Sequence, residues 1–222
     1  MINTSISKEN LLNYLGSQIE NNYSDGDHDN FIISSKVVFE KVMERISFSF
    51  SHVKSRYYST DGQPYFNHLN GDHYCSFLAV LANELYKFGD ENSATKAFLL
   101  NKMMFGIDAF YTIELPRIFL FVHPIGTILG NATYSDYLVV YQGISIGSKT
   151  DGIYPTFSEK TILYSNSSVI GNCNLGPNCV VAARSYIIAK NVEANKVILG
   201  SYPDNRIIDN KNDIIKDYFH LL

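Results

Sequence analysis

The chain of 222 residues has no Trp, three Cys, six Pro and no marked excess of charge, with 18 Lys and Arg against 22 Asp and Glu. Each shortage excludes something. A formal charge of −4 gives no general electrostatic grip on a phosphate backbone, so nucleic acid is not expected as a partner. Cys75, Cys173 and Cys179 are odd in number and form no Cys-x-x-Cys pair, which fits a reducing, cytoplasmic setting better than a disulfide framework. No apolar run approaches a membrane span, and the N-terminal Met-Ile-Asn-Thr-Ser-Ile has no basic segment leading into an apolar one. Neither a signal peptide nor a membrane span is expected. What the chain does have is 45% hydrophobic residues, 16 Tyr, 14 Phe and 14 Gly. That is enough apolar material for one or two cores.

Two periods divide it. Leu11, Leu12, Leu15 and Ile19 follow a possible cap at Ser7, and Val37, Val38, Val42 and Ile46 follow Ser34 and Ser35; both sets recur at helical steps. A third helix is expected after Asp72, through Phe77, Val80, Leu81 and Leu85, stopping at Gly89. A fourth runs from Ser93 to just before Gly106. From about Val122 the period becomes six. Phe157, Leu163, Val169, Leu175, Val181 and Ile187 keep step, Glu193 misses, and Leu199 returns. Four residues after these aliphatics stand Thr161, Ser167, Cys173, Cys179, Ser185 and Asn191, all small or short. One residue earlier come Asn166, Asn172, Asn178, Arg184 and Lys190.

An aliphatic, a small residue and a corner residue at a period of six predict a parallel β-helix. Each hexapeptide makes one short strand and one corner, and three make a triangular coil. Upstream the frame continues through Ile128, Tyr134, Val140 and Ile146. Ile146 to Phe157 is 11 residues instead of six, so a loop of about five residues within Ser148 to Thr156 is expected to leave the coil. The fold class is therefore α+β, with a helical domain over 1–106, a β-helix over 107–208 and a helical tail over 209–222.

Certain residues in the coil half carry more than packing. Asp108 in Phe-Gly-Ile-Asp is followed fifteen residues later by His123, with Gly126 and Gly130 behind it, and Val140-Tyr-Gln-Gly-Ile-Ser-Ile-Gly147 leads into the loop. In this order these segments resemble the serine O-acetyltransferases among the hexapeptide-repeat acyltransferases, whose coils are left-handed. The resemblance spans roughly Phe105 to Ile208, the helical half matching in kind only. It implies an acetyl-CoA-dependent O-acetyltransferase with His123 as general base and Asp108 orienting it. It also implies homotrimers, or dimers of trimers, with active sites in the clefts between neighbouring coils. The acceptor would be a small hydroxyl compound, either serine or a sugar of a surface polysaccharide.

The pattern also departs from that family. Where family members carry an Arg, a second His and a Pro at the end of the loop, this chain has Ile153, Tyr154 and Pro155. Val122 stands for an Asp before the catalytic His and Asn131 for a Glu after it. Tyr154 and Asn131 are thus the candidate acceptor contacts. Ser165, Ala183 and Ser201, spaced by 18, are expected to stack beside a corner and leave backbone open to pantetheine. Gly147 would admit the thioester end, and Arg206, with Arg184 and Lys190, would meet the nucleotide phosphates. The competing readings are ordinary ones: small residues as the packing rule of the fold, basic residues as solvated corners, Asp151 as a solvated loop acid. Loss of the second His and its acidic neighbours also leaves room for a non-catalytic trimeric binding or scaffold protein.

No metal is expected. Asp25, Asp27 and Asp29 imitate the start of a calcium loop, but its sixth position is Asn30 and its twelfth Lys36, where Gly and Glu are needed. His68, His73 and Cys75 lack a fourth ligand nearby.

Overall fold

The computed structural model describes residues 2–220, apart from the side chain of Ile214. The chain divides into two compact units, one of Met1–Ser51 with Ser55–Thr112, the other of His52–Lys54 with Ile113–Leu222.

The first unit is built on helices α1 (Lys8–Asn22), α2 (His28–His52), α3 (Gly71–Phe88) and α4 (Glu91–Phe105). Ser7 caps α1 by accepting from the Asn10 amide, and Asn70 caps α3 by accepting from the amides of Asp72 and His73. Gly89 and Gly106 end α3 and α4 in the left-handed conformation, which glycine adopts without a Cβ penalty. Helix α2 differs from expectation. It starts at His28, so Ser34 and Ser35 are not caps but buried positions inside it; the Ser34 hydroxyl donates to Asp90 at 2.6 Å. Between α2 and α3, strands β2 (Ser59–Thr60) and β3 (Gln63–Phe66) form a hairpin, and β1 (Asn3–Thr4) pairs parallel with β3. The hairpin turn is Asp61-Gly62, both at positive φ, a pair suited to a tight two-residue connection.

The calcium-like acids have another partner. The ammonium of Lys96, itself buried, reaches Asp25 at 2.8 Å and Asp27 at 3.3 Å, tying the α1–α2 connection to α4. This cation holds the Asp25 carboxyl below its ordinary range. Helix α4 is followed by the short strand β4 (Asp108–Ala109).

The second unit is a parallel coil with three walls. Wall one holds β5 (Phe119–Phe121), β7 (Leu138–Val140), β10 (Thr161–Leu163), β13 (Cys179–Val181) and β15 (Lys196–Leu199), closed by the antiparallel β16 (Arg206–Asp209). Wall two holds β6 (Ile128–Leu129), β8 (Ser145–Gly147), β11 (Ser168–Ile170) and β14 (Tyr186–Ile188). Wall three holds β9 (Thr156–Phe157) and β12 (Asn174–Leu175), extended by bridges from Thr133 and Val192. Parallel neighbours in these walls lie about 4.8 Å apart.

The interior is the predicted row. Val140, Phe157, Leu163, Val169, Val181 and Ile187 are all fully buried, and Thr161, Ser167, Cys173, Cys179 and Ser185 fill the small slots. The frame slips by one residue at both ends. Val192 and Ile198 occupy the slots expected for Glu193 and Leu199, and Leu129 lies inside while Ile128 is 51% exposed. The pairing shows why: after the loop the coils repeat at 18 residues, as from Thr161 to Cys179 and from Ser168 to Tyr186, but Val180 pairs with Val197 and Ile128 with Ser145, each one residue short of that. At the corners Asn166, Asn178 and Arg184 are left-handed as expected, whereas Gly171 and Ala189 take that conformation in place of Asn172 and Lys190. The register Ser145 to Ser168 is 23 residues, five more than the 18 of its neighbour, so the extra residues leave between walls two and three.

The outward row of wall one is also apolar and buried, with Leu120, Val139 and Ile162 at 7% exposure or less. The C-terminal segment lies along the same wall. After α5 (Ile214–Tyr218), Phe219 packs edge-on against Tyr137 and bridges Val53, while the Tyr218 hydroxyl meets those of Tyr141 and Tyr164 at 3.0 Å each. Among the described residues no helix is long and apolar enough to cross a membrane.

Candidate active site

His123 stands where wall one turns into wall two. The Val122 amide still bonds the Val140 carbonyl at 2.9 Å, and His123 then goes left-handed, its carbonyl accepting from the Ile125 amide at 2.7 Å. Gly126, also at positive φ, completes the turn into β6. Pro124 is buried and the His123 side chain is exposed. The positive φ is no mark of chemistry by itself, because Lys160, Asn166, Asn178 and Arg184 share it at other corners.

The backbone ladder continues from His123 down that edge. The Gly143 amide bonds the Ile125 carbonyl, the Asn166 amide the Gln142 carbonyl, and the Arg184 amide the Ser165 carbonyl. Ser165 and Ala183 are therefore stacked, Ser165 half-buried and Ala183 exposed. Ser201 leaves the stack: it bridges Tyr186 of wall two, because the last coil is shortened. Arg206 is exposed on β16 opposite Leu199, next to the place Ser201 was expected to fill. One edge thus carries His123, Ser165, Ala183, Arg184 and Arg206, with small side chains leaving backbone accessible along the middle coils.

The next edge, between walls two and three, carries the others. Gly147 ends β8, its carbonyl accepting from the Gly171 amide at 2.8 Å. In the loop that follows, Asp151 accepts from the Ile153 amide at 3.0 Å and so serves a local turn. The Tyr154 ring lies against Gly130. A Cβ on Gly130 would come within 2.7 Å of the Tyr154 ring and 2.6 Å of the Ile146 carbonyl oxygen, so only glycine leaves room for that ring. Behind it the buried Tyr134 hydroxyl donates to the Gly130 carbonyl, and its ring stacks on Phe157. Burial, and then the Tyr154 phenol, push the Tyr134 phenol far up. Asn131 is exposed beside them, since Thr133, two residues on, bonds the Pro155 carbonyl at 3.1 Å. The structure therefore brings Tyr154, Asn131 and Gly147 together on one edge. Lys190, whose amide reaches Cys173, belongs to this side as well.

Asp108 lies in the helical unit, two residues beyond the Gly106 cap of α4. Its Oδ2 accepts from the Lys102 ammonium at 2.7 Å. Sequence reading missed Lys102. The available signal was a basic residue in the last turn of a helix, six positions before the acid.

Three chemical capabilities are present: an accessible imidazole at a corner, open coil backbone along the edge beneath it, and a phenol with an amide beside a glycine on the next edge. The comparisons with known proteins bear on how these combine. No protein-family model matches the chain. A candidate serine acetyltransferase of Schizosaccharomyces pombe is 27% identical over 128 residues, 56% of this chain and 47% of that protein. The chain spans about half the length of the curated relatives it matches. The crystal structure of serine acetyltransferase from Brucella abortus superposes with a TM-score of 0.70 at 18% identity, covering 91% of this chain and 83% of that one. The fold is that of the serine acetyltransferases. The Brucella abortus enzyme in complex with coenzyme A shares it at a TM-score of 0.63 and 17% identity, over 85% of this chain and 74% of that one.

Within this serine acetyltransferase fold the metal candidates are otherwise engaged. His73 accepts from the Asn67 amide at 3.1 Å and His68 bonds Ser5 at 2.8 Å. Burial drives the Cys75 thiol far up. Among the described residues no group of three or more His, Cys, Asp or Glu is placed to hold a metal ion.

Proposed function

We propose that the chain is an O-acetyltransferase that moves an acetyl group from acetyl-CoA to a small hydroxyl acceptor. The observation that carries the proposal is His123 at an open corner of a serine acetyltransferase fold, with the sequence setting of Asp108, Gly126 and Gly130 around it. His123 is the general base. It takes the acceptor's hydroxyl proton as the oxygen attacks the thioester carbonyl, and the tetrahedral intermediate collapses with loss of the CoA thiolate, which regains a proton from the imidazolium. Asp108 is the carboxylate assigned to hold the imidazole tautomer and favour its charged form. Ser165 and Ala183 form the floor for pantetheine, Gly147 admits the thioester, and Arg206 meets a nucleotide phosphate.

The active unit is a homotrimer or dimer of trimers. His123 and Tyr154 stand on different edges of one coil, so sites in clefts between copies draw one edge from each. Tyr154 and Asn131 form the acceptor side. Both are uncharged, as are Val122 and Ile153, which favours a hydroxyl compound bound by hydrogen bonds over a zwitterion held by charge pairs.

The experiment is thiol release from acetyl-CoA with serine and then a panel of sugars and nucleotide sugars, for the wild type and His123→Ala. Loss of a positioned base is expected to lower kcat/KM by roughly 10²–10⁴-fold. No turnover with any acceptor and no CoA binding would leave a non-catalytic scaffold. Serine as the best acceptor would refute the part assigned to Tyr154 and Asn131.

A further inference from the structure

We infer that the phenols of Tyr141, Tyr164 and Tyr218 form a hydrogen-bond donor site for the acyl donor, giving one O–H to an amide carbonyl of its pantetheine arm. The site rests on the proposed use of acetyl-CoA and adds a contact to it. All three residues belong to the coil unit.

Their position follows from the register of the coils. At the exit of wall one the Tyr141 amide bonds the Leu163 carbonyl and the Tyr164 amide the Val181 carbonyl. Tyr141 and Tyr164 are therefore stacked on successive coils, their ring centroids 5.1 Å apart. The residues that follow them, Gln142 and Ser165, stand on the edge that carries His123 and the proposed pantetheine floor. Val122 and Ala182 hold the same place on the coils before and after. Neither has a polar side chain, so the hydroxyls are confined to the middle of that edge.

The cluster has one proton more than it uses. The Tyr218 hydroxyl, brought in by α5, lies 3.0 Å from that of Tyr141 and 3.0 Å from that of Tyr164. Three phenols bring three protons, and two contacts consume two, so one O–H is left over whichever way the bonds point. Burial, and then the bonds from Tyr141 and Tyr164, push the Tyr218 phenol far up, so the central group stays a neutral donor. All three residues are half-buried. In such a place a donor is polarised by its neighbours, and leaving it without an acceptor is costly.

The chemistry of the edge selects the acceptor. Its own carbonyls at Ile125, Gln142 and Ser165 already accept from the next coil. A phosphate is matched by a cation, which Arg184 and Arg206 supply. A neutral O–H beside small residues suits a neutral carbonyl on an extended chain, and pantetheine carries two amides along such a chain.

The test measures dissociation constants of CoA and of its adenosine bisphosphate fragment, which lacks the pantetheine arm, for the wild type and the triple variant Tyr141→Phe, Tyr164→Phe, Tyr218→Phe. The variant keeps every ring and deletes every phenol O–H. Replacing both partners of a bond by apolar groups of the same shape is nearly neutral, so the thermal melt should change little. CoA is expected to bind roughly three- to tenfold more weakly, the worth of one neutral hydrogen bond, and the fragment as before. An unchanged CoA constant overturns the inference and leaves the phenols as a fastening for the C-terminal segment. An equal loss for the fragment overturns it as well, because the contact is then not to the arm. A second measurement needs no variant. In the wild type with labelled tyrosine, NMR should show one hydroxyl proton of the cluster exchanging more slowly with water once CoA is added, and no slowing with the fragment. No slowing with CoA overturns the inference even where the triple variant does not fold. Absence of CoA binding to the wild type overturns the proposed function itself.

Discussion

Lowering the pH from 8 to 5 is expected to remove about 2 kcal/mol of stability from the helical unit, and His73 is the group responsible. Its ring is fully buried in the first turn of α3, with ring centroids of Tyr58, Phe50 and Phe66 at 4.3, 4.8 and 6.2 Å. Nδ1 accepts from the Asn67 amide, so the proton resides on Nε2, which has no partner. Burial pushes the pKa from 6.5 down to about 4. The unfolded chain therefore binds a proton at higher pH than the folded chain does. Between those two values the unfolded state holds more protons, so stability rises with pH. The contribution is complete above pH 6.5 and is lost as pH falls toward 4. The full difference amounts to about 3 kcal/mol, of which about 2 is gone by pH 5.

Competing carboxylates titrate lower. Asp25, Glu84 and Asp90 all lie below their ordinary values, so their losses begin only where unfolded carboxylates protonate, near pH 4. Urea unfolding followed by far-UV circular dichroism reads the helical unit directly, and the absence of Trp makes fluorescence a poorer probe. The control is His73→Asn, which retains an acceptor for the Asn67 amide and does not titrate. It is expected to be less stable at neutral pH but nearly flat from pH 7 to 5. If it keeps the wild-type slope, the assignment to His73 is wrong.

Two further substitutions probe the coil unit. Gly130→Ala drives a methyl into the Ile146 carbonyl and the Tyr154 ring. It is expected to cost about 1–3 kcal/mol in stability and to raise KM for the acceptor more than KM for acetyl-CoA; equal effects on both would show that Tyr154 has no part in acceptor binding. Phe219→Ala removes a ring that is 2% exposed against Tyr137, so about 3 kcal/mol should be lost. Faster amide exchange at Val139 and Ile162 should accompany it, and unchanged exchange there would show that the C-terminal segment does not protect wall one.

How far the sequence could be read depended on the range of the interactions involved. The six-residue period is a local signal, because each aliphatic from Phe157 to Ile187 meets the same requirement one strand after the last. The caps at Ser7, Gly89 and Gly106 were legible for the same reason, since a cap needs only its own turn. Helix α2 was misread at its start because Ser34 is satisfied by Asp90, a residue 56 positions away that no local rule supplies. His123 and Asp108 were singled out by the family resemblance, whereas the ion pair of Lys102 with Asp108 carried no local signal, since it depends on the bend at Gly106.

By itself, then, the sequence determined the two-part organisation, the repeating coil and the excluded loop, all of which follow from short-range periodicity and spacing, while the candidate base was named by the family resemblance around His123. Only the tertiary structure decided which residue fills each slot at the ends. A single missing residue exchanges inside for outside along a strand, and whether Ile128 or Leu129, Glu193 or Val192 faces the interior is set by pairing with the adjacent coil. The same cause separates the candidate site into two edges and places Tyr154 over Gly130, a contact between residues 24 apart that close only because the coil has turned once.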